Sequence, residues 1–183
     1  AIDELAVPFL RVGALMLART SEEVQRLSTE IVANASALGV RTEPLDRSAL
    51  GAVAPYLAED VVAALSIPDE SIVDPFWLTR AYAEAAIAGG ADIRLGQAVV
   101  GLEVRDDAVT VRLEDGTTIE AEQVVDAAGL RADEVARLAG DASFDITPRK
   151  GQFLVSEETF GVDRIVLPIP GPLGKGMLVT PIV

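Results

Sequence analysis

The sequence predicts an α+β fold in which helices pack on mixed and antiparallel sheets. Three observations carry that expectation. The stretches 21–38 and 73–90 are both framed by helix start and stop signals. Between 98 and 121, apolar residues alternate with polar ones, the period of strands with one wet face. The apolar-rich stretches at 10–18 and 123–128 lack that alternation, as strands buried on both faces do.

Taken in order, "LRVGALMLA" at 10–18 reads as a buried strand. Thr20 with Glu23 three residues on is a capping box. Val24, Leu27, Ile31 and Leu38 then recur at helical spacing, and Gly39 ends the helix. "LDRSAL" and "AEDVVAAL" read as short helical turns, and "ALSIP" at 64–68 as a short strand. In the second helix Asp74 is the cap, Pro75 takes the first position and Gly89-Gly90 stop it. "ADIRLG" reads as a short strand. Asp106-Asp107 and Asp115-Gly116 are turn signals that divide 98–121 into a three-stranded antiparallel meander. A helix follows at about 130–139. "DITPRKGQFLVS", "DRIVLPIP" and "GMLVTPIV" read as three further strands, joined by a loop rich in Gly and Pro.

Composition narrows the chemistry. The chain has 183 residues, of which 50% are apolar, yet no apolar run reaches the roughly 18–20 residues of a membrane span. The opening "AIDELAVPFLRVG" has no basic segment of the kind that begins a secretion signal. There is no Cys and no His, so disulfides, thiolate nucleophiles, Cys/His zinc sites and histidine bases are excluded within these residues. A cytoplasmic setting fits that usage. The net charge of −14 argues against a nucleic-acid partner. Paired acids in "SEE" at 21–23 and "RDD" at 105–107 read as cap and turn chemistry, and Trp77 and Tyr82 as core and rim packing.

One stretch asks for more. "QVVDAAGLRADEVARLAG" at 123–140 carries an apolar strand into Ala127, Ala128 and Gly129 and then straight into a helix. Main chain can meet a bulky ligand closely only where side chains are small. In open parallel sheets, nucleotide cofactors lie across such strand ends. Spacing alone also allows a tight turn with nothing bound.

The order helix, short strand, meander, "VVDAAG", helix resembles the second half of an FAD-binding domain of the glutathione-reductase type. "GALMLART", "GVRTEPLDRSAL", "IVDPFWLTRAYAEAA", "VVDAAGLRADEVARLAG", "ITPRKGQFLV" and "GKGMLVTPIV" follow in the order seen in FAD-dependent glycerol-3-phosphate dehydrogenases of the D-amino-acid-oxidase superfamily. The related L-2-hydroxyglutarate oxidases share much of this pattern. The resemblance implies a substrate domain at 1–70 and 144–183 around the middle portion of an FAD-binding domain at 71–143, which supplies the meander. Members begin with a Gly-x-Gly-x-x-Gly turn that holds the FAD pyrophosphate. No such motif occurs here, so the expectation is an internal stretch of a longer flavoprotein, inactive by itself.

The resemblance also implies site residues. Val99 matches a position whose backbone faces the adenine; from the residues alone it is a packed strand residue. Ala127, Ala128 and Gly129 match the strand end beside the cofactor. An anionic substrate, phosphate or carboxylate, needs a cation. The chain has only two lysines, Lys150 and Lys175, and Arg149 precedes the first. On a strand Arg149 and Lys150 would face opposite sides. The resemblance favours Lys150 on the cofactor side, with Gln152 on the same face. Lys150 and Lys175 also read as ordinary solvated charges. No residue is assigned as a catalytic base. The implied reaction is oxidation of sn-glycerol 3-phosphate with electrons passed to a quinone or oxygen, the parent being cytoplasmic or peripheral to the inner face of the plasma membrane. The rival expectations are a 2-hydroxy-acid or amino-acid substrate, and a non-enzymatic interaction domain that dimerises through exposed apolar surface.

Overall fold

The computed structural model describes residues 5–158, 160–171, 174 and 176–182. They divide into two compact units, Ala1–Gly90 with Ser156–Val183, and Ala91–Val155.

The first unit is built on a mixed sheet. Its strands are β2 (Ala14–Ala18), β3 (Glu43–Asp46), β4 (Ala63–Ile67) and β9 (Ile165–Pro168), in the order β3-β4-β2-β9. The pairs β2–β4 and β3–β4 are antiparallel, and β2–β9 is parallel. All five residues of β2 are buried, because both faces of the sheet are covered. On one face Leu15, Leu17 and Ala64 pack with Leu50, Ala54 and Val61. On the other, Met16, Ala18 and Leu65 pack with Leu27 and Ile169. The one apolar run 10–18 proves to be two strands. Gly13, at φ +68°, breaks the extended chain, so β1 (Phe9–Arg11) pairs separately with β5 (Ser71–Val73) while β2 joins the sheet.

The helix at 21–37, α1, supplies the second face. Its capping box forms: Glu23 N–H donates to Thr20 Oγ1 at 3.2 Å, and Thr20 N–H to Glu23 Oε2 at 3.1 Å. It runs as Ser21–Arg26, a π turn over Leu27–Ile31, and Val32–Ala37. The hydroxyls of Ser28 and Thr29 both donate to the Gln25 carbonyl, competing with the local ladder. α2 (Arg47–Val53) is capped by Asp46 and buries Leu50. "AEDVVAAL" is not helical. It passes through an irregular run that buries Val61 and enters β4, whose pairing with β2 and β3 outweighs the local pattern. α3 (Pro75–Ala88) forms with Asp74 Oδ1 accepting from the N–H groups of Phe76 and Trp77. None of its residues is buried, so Trp77 and Tyr82 are exposed instead of packing in a core. Arg80 lies 5.2 Å from the Trp77 ring centroid, a cation–π contact.

The chain after β9 turns back on it. Val166 pairs with Val179, and Gly171 with Gly174, in one antiparallel register. Pro168 and Pro170 lack the N–H groups that would fill the ladder between these bridges. The strand expected over "GMLVTPIV" is therefore reduced to an isolated bridge. Tyr56 Oη donates to Asp163 Oδ1 at 3.3 Å, and Arg164 grips the same carboxylate through two bonds of 2.8 Å, tying the start of β9 to the 54–62 connection.

The second unit holds the meander, β6 (Val99–Val104), β7 (Val109–Leu113) and β8 (Thr118–Ala121), as the alternation predicts. Asp106-Asp107 sit in a turn closed by Arg105 N–H to Ala108 O at 2.9 Å. At the other turn, Asp115 Oδ1 accepts from Thr117 N–H at 2.8 Å, and Gly116 takes φ +87°. A 3-10 turn (Gly129–Arg131) leads into α4 (Ala132–Leu138). Three expected strands are not formed here: "ADIRLG", the run 123–128 and the long "DITPRKGQFLVS" are irregular and largely exposed. A strand is stable only when a neighbour takes its N–H and C=O groups, and these stretches have no ladder partner among the described residues.

Candidate functional site

Each described candidate residue falls in the second unit, on three separate stretches. Val99 opens β6, Ala127–Gly129 lead into α4, and Arg149, Lys150 and Gln152 lie on the irregular run that follows. Lys175 lies outside the described residues.

The corner at 127–129 is folded by its own side chain: Asp126 Oδ1 accepts from Ala128 N–H at 3.0 Å. Gly129 has φ +59°, so the backbone itself already demands glycine there. Ala127 and Ala128 have no such reason to be small. Both are exposed, Val125 before them is 86% exposed, and a Cβ built on Gly129 meets nothing within 4 Å. Bare main chain faces open space, and nothing in this unit plugs the corner.

Val99 lines an open concavity of about 410 Å³ together with Asp92, Arg94, Gln97, Leu113 and Ile119. Arg94 is engaged by Asp92, Nε to Oδ2 at 2.8 Å. Gln97 Oε1 is buried with no hydrogen-bond partner. A buried amide oxygen left without a donor is costly, by about 1–3 kcal/mol. The exposed small-residue corner is compatible with close approach of a planar group such as a nucleotide cofactor. Neither it nor the Gln97 acceptor offers a site for a pyrophosphate, consistent with the missing glycine-rich turn. Among the described residues no cluster of His, Cys, Asp and Glu could hold a metal ion, and no helix is long and apolar enough to cross a membrane.

Arg149, Lys150 and Gln152 are exposed and not on a strand, so the expected alternation of faces does not sort them. The run that carries them is fastened just upstream. Asp133 on α4 is the buried charged side chain among the described residues. Its Oδ2 accepts from Arg137 Nη1 and Nη2, each at 3.1 Å, and from Ile146 N–H at 3.3 Å. Arg137 also pairs with Asp145. Burial opposes ionisation of Asp133, but the Ile146 N–H and the Arg137 guanidinium prevail and hold its carboxyl below the usual range. Sequence reading passed over this cluster. Its only local sign was the spacing of Asp133 and Arg137, four apart on one helix face.

The chain thus combines a mixed-sheet unit with a meander unit that carries an exposed small-residue corner. The family described as FAD dependent oxidoreductase (DAO) matches residues 1–182, and the chain belongs to that family. It is 32% identical over 183 residues to a glycerol 3-phosphate dehydrogenase of Caloramator mitchellensis, covering 98% of this chain and 38% of that protein. An L-2-hydroxyglutarate dehydrogenase of Indibacter alkaliphilus is 28% identical over 176 residues, 93% of this chain and 43% of its own length. Among solved structures, the FAD-bound L-alpha-glycerophosphate oxidase of Mycoplasma pneumoniae has the same fold, with a TM-score of 0.78 at 22% identity, over 96% of this chain and 48% of that one. The chain thus spans well under half the length of the curated relatives it matches.

Proposed function

We propose that these residues form part of an FAD-dependent dehydrogenase that oxidises sn-glycerol 3-phosphate. The observation that carries the reading is the exposed main chain at Ala127–Gly129, present in a chain whose family is flavin-dependent. The chemistry supplied by a bound flavin is acceptance of a hydride from a secondary alcohol carbon, with the electrons then passed to a quinone or to oxygen. The protein's own part is position and charge. Ala127, Ala128 and Gly129 admit the cofactor's flank, and the Val99 backbone beside Gln97 meets its adenine end. Lys150 holds the substrate phosphate, with Gln152 and Arg149 adding donors on the same run, and Lys175 is a further candidate cation. On this reading, residues 1–70 and 144–183 serve the substrate side and 71–143 the cofactor side. The 183 residues alone are inactive, because the pyrophosphate-binding turn is not among them. The parent works in the cytoplasm, and at the inner membrane face where a quinone is the acceptor.

The likeness to L-2-hydroxyglutarate dehydrogenase supports a second reading, in which Lys150 meets a carboxylate. One experiment separates the two. Full-length enzyme is assayed against sn-glycerol 3-phosphate and L-2-hydroxyglutarate, with and without Lys150→Ala. The proposal expects turnover of the phosphate ester, and a KM for it raised about tenfold or more by the substitution, as loss of a charge-assisted contact implies. An unchanged KM removes Lys150 from the site, and turnover of the hydroxy acid alone replaces the substrate.

A further inference from the structure

We propose that a bulge at Val100 in β6, held by Arg112 lying across Gly101, tilts the Val99 main chain toward the adenine edge of the cofactor; this rests on the reading of Val99 given above. β6 does not pair regularly with β7. Val99 lies opposite Leu113 and Gly101 opposite Arg112, so Val100 is an extra residue with no partner of its own. β6 is also the edge strand of its sheet. Leu113 N–H donates to Thr117 O at 2.9 Å, away from β6, and Glu114 N–H donates to Ala98 O at 2.9 Å. Hydrogen-bonded and open pairs alternate along an antiparallel ladder, so Val99 and Leu113 form an open pair. The N–H and C=O of Val99 therefore point off the free edge, a donor beside an acceptor.

On a regular edge these groups would lie in the plane of the sheet, but the concavity lies out of that plane, on the side of Leu113 and Ile119. A bulge bends its strand and re-aims what it carries. The extra residue at Val100 thus turns the edge of Val99 toward the side where a ring could lie. The bend is held on both flanks, by the Ala98–Glu114 bond upstream and by Arg112 downstream. A Cβ built on Gly101 would sit 2.8 Å from Arg112 Nη2 and 3.1 Å from its Cζ and Nε, so the guanidinium rests on main chain that only glycine leaves bare. Arg112 and Leu113 are neighbours on β7 and point to opposite sides. Arg112 therefore faces away from the concavity and touches nothing bound there. It is a positioning residue that acts through the strand.

The test is flavin binding by the full-length apoprotein, followed by the flavin absorption band. Two ligands are compared: FAD, and flavin hypoxanthine dinucleotide, in which a carbonyl replaces the adenine amine. Wild type should prefer FAD about tenfold, the worth of one hydrogen bond whose partner is left unmatched. Deletion of Val100 restores a regular ladder with Val99 still opposite Leu113. It should weaken FAD about tenfold and leave the analogue within about twofold, erasing the preference. Arg112→Ala should reduce the preference to about threefold, and it carries the test if the deletion gives no urea transition. Retention of the full preference by either variant overturns the inference. So does equal weakening of both dinucleotides, which marks a general loss of the fold around the site. A wild type that binds both dinucleotides alike removes the reading of Val99 before any variant is made, and the inference falls with it.

Discussion

At position 129 the main chain has φ +59°, and any Cβ there costs about 1–2 kcal/mol from its clash with the backbone. Gly129→Ala should therefore destabilise the protein by that amount whether or not a cofactor rests nearby, and it cannot test the cofactor reading. Ala128 can. It is exposed, and beside it a Cβ built on Gly129 meets nothing within 4 Å. Ala128→Leu should leave the unfolding free energy of the flavin-free full-length protein, read from urea titration, within about 0.5 kcal/mol of wild type, as surface substitutions do. Its flavin content after purification should fall well below that of wild type. Full retention of flavin by Ala128→Leu would mean that nothing flat rests on this corner. Smallness thus has two separate causes within three consecutive residues, and the sequence showed them as a single feature.

Among the elements, β2 has the most to lose. Leu15 is fully buried between Leu50, Val61 and Ala64, and Leu15→Ala should cost about 3–4 kcal/mol, read as a lowered thermal midpoint. Leu38→Ala should cost a small fraction of that, since Leu38 is 80% exposed despite its place in the helical pattern. Elements with local causes were legible in the sequence. Thr20 with Glu23, and Asp74 with Pro75, set both long helices through contacts within four residues, and the meander followed from its alternation and its Asp turns. Elements with distant causes were not. The order β3-β4-β2-β9 depends on pairings that no short window contains, and Gly13 divided a run that hydropathy alone joins. The runs 123–128 and 145–156 read as strands from their sequence but have no ladder neighbour among the described residues. The same split holds at the candidate site. The small residues and the scarce lysines stood out by type, whereas the Asp133 anchor required knowing that Ile146 returns to α4.

At the scale of the whole chain the two units differ in what holds them together. The first has two buried clusters on a sheet covered on both faces. The second buries only Val111 and Leu113 among its apolar side chains, while Val125, Leu130, Phe153 and Leu154 are all exposed. A unit of this size is marginal even with a good core, because a small body buries too little of its surface. The exposed runs are the parts that this unit itself holds least. The chain of 183 residues, purified by itself, should exchange amide hydrogens rapidly throughout 123–131 and 147–155. Exchange should be slow at β2 and β4, with the meander intermediate. It should also bind an apolar dye and elute from a sizing column ahead of a 19.2 kDa monomer, as its apolar surface finds a second copy. Added FAD should leave the flavin absorption band unshifted. Uniformly slow exchange across both units, in a dye-silent monomer, would show that the second unit is stable without any further chain, and the reason for assigning its open corner to a cofactor domain completed elsewhere would be gone.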